Sequence, residues 1–212
     1  VGVMALIFVL AVMSGFDHDI KDKLIGTNAY LIIDTPAGLA DAEDVMRQLS
    51  TLEHVVGVSP FVSGQAILRL PDHAFGVLVR GIDVERESRV NRLADYLVAG
   101  HLPRTDEEVA IGTELGAYLR AGPDAQLELI SPADGKTHTL TISGLFRSGM
   151  YEYDATLIAM TISRAQQLYR LGRVVTGVGV KLDELDRSSA MASVIRGKLA
   201  GAYRVRTWEE LN

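Results

Sequence analysis

Residues 29–62, AYLIIDTPAGLADAEDVMRQLSTLEHVVGVSPFV, decide the fold. The first six are rich in β-formers and are followed by Thr35-Pro36, a strand with a stop signal. In residues 39–52, Leu39, Ala42, Val45, Met46, Leu49 and Leu52 recur at helical spacing and give one apolar face. Asp41, Glu43 and Asp44 sit at the end of that helix where its dipole favours negative charge. A second strand is expected over 55–62. A third, over 65–70, follows an apparent break at Ser63-Gly64, and a fourth covers 74–82 after Pro71-Asp72.

Working outward, the order β-α-β-β-β predicts an α+β layer. Residues 86–97 read as helical or mixed, and 100–108 as a polar connector. A strand through Ala110-Ile111-Gly112 leads into a short helix over 113–119. Strands over 126–130 and 137–146 flank a turn marked by Asp134-Gly135. A strand over 157–161 precedes a helix over 163–171 with Ser163 as its expected N-cap. Finally a strand over 174–182, a helix over 185–199 and a strand over 203–206 repeat the β-α-β pattern of 29–62. Two such units flanking a β-rich middle give an α+β fold. A porter-like subdomain is expected from 27–83 and 172–212, with a mostly β subdomain, 84–171, inserted in it.

The segment ahead of this body is different. Residues 1–13, VGVMALIFVLAVM, carry no polar side chain. As a helix they span roughly 20 Å, short of the approximately 20 apolar residues that a bilayer core requires. A buried helix, a signal-peptide core and the end of a membrane helix compete. No basic segment precedes the run and no Ala-x-Ala site follows it, against a signal peptide. Phe16, Ile20 and Leu24 then recur every four residues among Asp17, Asp19, Lys21, Asp22 and Lys23, with Gly26 as a stop. A helix apolar all round that becomes one-sided reads as one leaving a membrane. Residues 1–26 are therefore expected to be the end of a transmembrane helix with its amphipathic extension. The chain is also expected to continue beyond Trp208-Glu-Glu-Leu-Asn212.

Composition narrows the chemistry. Among 212 residues, 21 Lys and Arg face 27 Asp and Glu, for a net charge of −6. No basic cluster stands out, which disfavours nucleic acid as a partner. The absence of cysteine removes disulfides, thiolate metal sites and a cysteine nucleophile.

Motifs for catalysis are incomplete. There is no phosphate-binding Gly-x-x-x-x-Gly-Lys-Ser/Thr, and Gly177-Val178-Gly179 lies within an expected strand, where packing explains it better than a dinucleotide. Gly57-Val58-Ser59-Pro60-Phe61 lacks the second glycine of a nucleophile elbow. The five histidines are too scattered for a helical zinc motif, and Asp17, Asp19 and Asp22 lack the glycine and terminal Glu of a calcium loop. The densest set of acid–base side chains is Tyr151-Glu152-Tyr153-Asp154, read as a polar loop whose aromatics cover the edge of the middle subdomain. No catalytic, cofactor-binding or metal site is expected, and the chain reads as non-enzymatic.

The assembled residues resemble a known family, the lipoprotein-releasing ABC permeases of the LolC/LolE type. Residues 2–16, GVMALIFVLAVMSGF, are similar to the end of their first transmembrane helix. Gly81-Ile82-Asp83, Gly112-Thr-Glu-Leu-Gly116, residues 144–154 (GLFRSGMYEYD) and Trp208 match further landmarks in the same order. The resemblance implies a MacB-like periplasmic core domain between the first two membrane helices of an inner-membrane permease. It implies a separate ATPase subunit that binds the ATP, a second permease subunit, and a lipoprotein substrate. MacB-like efflux and FtsX-like mechanotransmission permeases are the alternative within the same superfamily.

The resemblance also brings one departure. LolC-type permeases recruit a LolA-type carrier through a long hairpin, the hook. Here the corresponding connection is only Ser131-Pro-Ala-Asp-Gly-Lys-Thr137, too tight a turn for an extended hook. Under this reading the candidate substrate or partner contacts are Gly135, Lys136 and His138 at the turn, and Met150, Tyr151 and Tyr153.

Overall fold

The computed structural model describes residues 29–199 and 203–211. The apolar run and its amphipathic continuation lie outside the described residues. Strand β1 (Leu31–Leu39) is followed by helix α1 (Ala42–Leu49), β2 (Val55–Arg69), β3 (Ala74–Ile82) and a helical turn, α2 (Val84–Glu87). After a 3-10 turn at Leu93–Tyr96 come β4 (Leu97–Gly100), β5 (Glu108–Gly112), α3 (Thr113–Leu119), β6 (Gln126–Ile130) and β7 (Thr137–Phe146). Helix α4 (Tyr151–Thr156), β8 (Leu157–Thr161), α5 (Ile162–Tyr169) and β9 (Val175–Leu182) lead to α6 (Ser188–Lys198), β10 (Arg204–Thr207) and α7 (Trp208–Leu211).

The ten strands among the described residues belong to one mixed sheet, nine of them in the order β10-β1-β9-β2-β3-β8-β5-β7-β4. Strands from the two ends of the chain lie side by side: β1 pairs antiparallel with β10 on one edge and β9 on the other. The middle strands join through a parallel pairing of β8 with β3. Strand β6 pairs with both β7 and β2. The path β2-β3-β8-β5-β7-β6 thus returns to β2 as a closed six-stranded circuit.

Strand alternation shows the inside of that circuit. Ala66 and Leu68, Val77 and Val79, Val109 and Ile111, Leu127 and Leu129, Leu140 and Ile142, Ile158 and Met160 are alternate pairs from its six strands, all buried in one cluster. The same cluster continues into the open part of the sheet. There Val45, Met46 and Leu49 of α1 and Met191, Ala192 and Ile195 of α6 cover Leu31, Ile33, Val178 and Val180. The opposite, outer face carries two smaller clusters. One is Ala29, Ile32, Phe61 and Val90, and the other is built around Ile82, Ala110, Phe146, Leu157 and Ala159.

Several local expectations need correction. Ser63-Gly64 does not break β2, which runs straight through: Ser63 and Gly64 pair with Arg80 and Val79, and the Ser63 N–H donates to Thr176 Oγ1 at 2.8 Å. Thr35-Pro36 does not end β1, because Thr35 Oγ1 donates to the Gly38 carbonyl at 2.8 Å and the strand resumes, register-shifted, at Leu39 opposite Val175. The first helix is shorter than its apolar spacing predicts, since Leu39 is used by that strand and Leu52 lies beyond the Ser50 cap. The helix predicted from Ser163 starts at Ile162, and its cap is Thr161, whose Oγ1 accepts the Arg164 N–H at 3.1 Å.

Candidate functional site

The six residues singled out from sequence fall into two groups. Gly135 and Lys136 sit in the β6–β7 turn, which is docked rather than projecting. Buried Ser131 donates through Oγ to the Leu168 carbonyl of α5 at 2.6 Å, and its carbonyl accepts the Gly135 N–H at 2.9 Å. Asp134 accepts the Lys136 N–H at 3.1 Å and pairs with Arg170 at 2.8 Å. Those backbone and side-chain contacts hold the Asp134 carboxyl below its ordinary value. His138 follows on β7 in the same alternation as Leu140 and Ile142, facing Arg164 of α5 at 3.3 Å. Burial first, and then the Arg164 charge, push its imidazole pKa down, so neutral pH leaves this ring uncharged.

Met150, Tyr151 and Tyr153 lie on the other side of the sheet. The presumed loop at 151–154 is the first part of α4. Tyr153 packs against the outer cluster and Tyr151 is 72% exposed. Because β3 alternates, Gly81 faces Ala165 of α5 while Gly76 and Leu78 face α4. The structure therefore does not bring the turn group and the α4 group together.

Asp154, one of the four acid–base side chains in that stretch, is engaged elsewhere. It is 3% exposed, and Oδ1 accepts the Ser148 N–H and Oγ–H, both at 2.8 Å, while Oδ2 accepts the Gly149 N–H at 3.2 Å. A buried carboxylate with three such donors fixes the turn before α4. Its hydrogen-bonding capacity is taken up by the fold. Among the described residues no three His, Asp or Glu side chains converge as a metal site.

Sequence reasoning missed the outer wall of the closed circuit beside α4. Ile67 is 44% and Leu78 40% exposed there. A shallow depression of about 400 Å³ is lined by Gln65, Gly76, Leu78, Glu152, Tyr153 and Thr156. The alternation Ala74-Gly76-Leu78 in β3 carried the signal, but which face of a strand stays bare depends on the elements that fold over it.

The comparisons with known proteins bear on the whole chain. The family model described as "MacB-like periplasmic core domain" matches residues 1–198. The chain belongs to this family. Two proteins named lipoprotein-releasing system transmembrane protein LolC match the full length of the chain. One, from Xylella fastidiosa strain Temecula1, is 30% identical over 223 aligned residues. The other, from Neisseria meningitidis serogroup B, is 30% identical over 228. The chain spans 54% of the length of each. The periplasmic region of MacB from Actinobacillus actinomycetemcomitans has the same fold. It superposes with a TM-score of 0.58 at 13% identity, covering 90% of this chain and 93% of that one. This MacB-like domain is thus α+β, and among its described residues no helix is long and apolar enough to cross a membrane.

Proposed function

We propose that this MacB-like domain is the non-catalytic periplasmic part of an inner-membrane ABC permease of the lipoprotein-releasing type. A separate ATPase subunit binds and hydrolyses ATP, and a second permease subunit completes the transporter. The relatives named LolC support this reading over the whole length of the chain. The geometry of entry and exit supports it as well. The Trp208 N–H donates to the Tyr30 carbonyl at 3.0 Å, so the chain enters and leaves the sheet at neighbouring points. That suits a domain set between two consecutive membrane spans, whose movement would reach it through both ends.

Within this reading the α4 group is the better substrate contact. Tyr153 lines the exposed depression beside Leu78 and Tyr151 is open to solvent on the same helix, whereas Gly135, Lys136 and His138 sit at a turn pinned to α5. A LolA-type carrier is not assigned to that pinned turn. Photo-crosslinking in the intact transporter tests the proposal. A crosslinker at Tyr151 or Leu78 is expected to trap lipoprotein and one at Lys136 is not. Failure to trap lipoprotein from both Tyr151 and Leu78 would sink the lipoprotein assignment. It would favour the second reading, a MacB-type mechanotransmission permease, which the shared fold supports.

A further inference from the structure

One short segment, residues 83–96, crosses the outer face of the sheet and touches both of its minor clusters. Asp83 starts it by accepting the Arg86 N–H through Oδ1 at 3.1 Å. Val90, 1% exposed, packs with Ala29, Ile32 and Phe61. Leu93 and Tyr96 pack with Ile82, Ala110 and Phe146. Ala29 is where the chain enters the sheet, and Leu97 follows directly as the first residue of β4. The segment is thus a strap from the entry point to the strands that lie farthest from it.

The strap is fastened at its centre by a buried carboxylate. Glu87, 2% exposed, accepts Ser59 Oγ–H at 2.8 Å, the Arg80 guanidinium at 3.0–3.1 Å and Asn91 Nδ2–H at 2.5 Å. Asn91 is itself buried and accepts the Leu93 N–H through Oδ1 at 3.1 Å. The Arg80 guanidinium also stacks on Phe61, 4.5 Å from the ring centre. A charged group buried this deeply holds only while its partners stay in place, since losing one leaves an uncompensated charge.

The sheet beneath is cleared for the strap. A β-carbon at Gly57 would stand 2.4 Å from the Arg89 carbonyl oxygen, and one at Gly179 would stand 3.0 Å from Ala29 Cβ and 3.4 Å from Val90 Cγ1. These glycines have no turn to make, since both lie within strands. Gly57 lets the strap's backbone approach at Arg89, and Gly179 makes room for the side chains of Ala29 and Val90.

We propose that this strap is a mechanical clamp, pinned by Glu87, that makes the entry point of the chain and the β4–β5–β7 end of the sheet move as one body. The proposal rests on the permease reading, which supplies the displacement at Ala29.

The test uses the full-length protein with its ATPase in lipid nanodiscs, with spin labels at Val98→Cys on β4 and Glu209→Cys beside the entry. Both positions are exposed, residues 1–212 supply no competing cysteine, and any cysteine elsewhere in the assembly is replaced by serine. The parent is expected to give one narrow distance distribution, equally narrow with and without ATP. Glu87→Gln keeps the shape of the pin but removes its charge, and should broaden the distribution at least twofold. Val90→Ala leaves the polar network intact and should broaden it as well, which covers the case of a Glu87 variant that does not fold. Distributions as narrow in the folded variants as in the parent overturn the clamp. In the singly labelled Glu209→Cys protein, absence of an ATP-dependent change in the distance to spin-labelled lipid of the nanodisc overturns the permease reading instead, and leaves the comparison of widths standing.

Discussion

The ring of Tyr169 lies against the bare backbone of Gly64: a β-carbon at position 64 would stand 2.7 Å from the ring Cζ and 2.8 Å from its oxygen. Gly64 is therefore the seat of an aromatic ring from α5 and β2 continues past it.

That seat makes opposite predictions for its two partners. Gly64→Ala forces the ring or the strand to shift and should destabilise the chain by about 1–3 kcal/mol, the usual cost of overpacking. The Tyr169 hydroxyl is buried without a hydrogen-bond partner, and burial pushes its pKa up. Tyr169→Phe removes this unsatisfied group while keeping the ring. It should be neutral or stabilising, by up to about 1 kcal/mol. Urea unfolding midpoints measure both, and a Tyr169→Phe variant clearly weaker than the parent would refute the assignment of an unpaired hydroxyl.

A second prediction concerns acid. Asp106 accepts hydrogen bonds from Thr161 Oγ1 at 2.5 Å, Ser163 Oγ at 2.7 Å and Gln167 Nε2 at 3.1 Å. Burial works to raise its pKa, but these donors and the Arg164 charge outweigh it and the carboxyl lies below the ordinary 3.8. A lowered folded-state pKa contributes stability that is present above the unfolded value and lost as pH falls through the folded one. The cluster should thus hold the 101–107 connector on α5 at neutral pH and weaken below about pH 3.8. Comparing unfolding midpoints of Asp106→Asn and the parent from pH 7 to pH 2.5 checks it. The difference between them should shrink toward the acid end, and a constant difference would contradict the charge assignment.

Much of the α+β order was legible because apolar periodicity marks elements that bury one face. β3, α3, β6, β7 and β8 have the bounds expected from the sequence. The misreadings have a common physical cause. Ser63-Gly64 and Thr35-Pro36 carry local turn chemistry, and pairing with distant strands overrides it. Residues 151–154 read as a polar loop, because whether Asp154 is exposed or tied to Ser148 depends on contacts that local sequence does not encode. The closed six-stranded circuit was not legible for the same reason. It rests on three β2–β6 residue pairs, Ile67–Ile130 to Arg69–Glu128, separated by about sixty residues of chain.

The C-terminal edge strand β10 depends on one carboxylate. Asp34 of β1 is 4% exposed and stands directly opposite Arg204 of β10, whose Nε donates to Oδ1 at 2.7 Å. Arg206, two residues on, donates to Oδ2 from Nε at 3.1 Å and also from Nη2. One buried charge thus holds two partly exposed arginines on the same face of a four-residue edge strand. Without it, two like charges would sit at neighbouring positions on that face. Asp34→Asn keeps the size of the side chain but loses the charge, and should weaken the β1–β10 pairing by about 1–3 kcal/mol, the range of hydrogen bonds to charged groups. Amide exchange over 204–207 should then accelerate by about fivefold to about a hundredfold, since each 1.4 kcal/mol is a factor of ten, while exchange in β3 stays as in the parent. A double-mutant cycle with Arg206→Gln separates charge pairing from simple packing. Pairing predicts that the two substitutions together cost less than the sum of their separate effects, and strict additivity would show that Asp34 does not fasten β10 through Arg206.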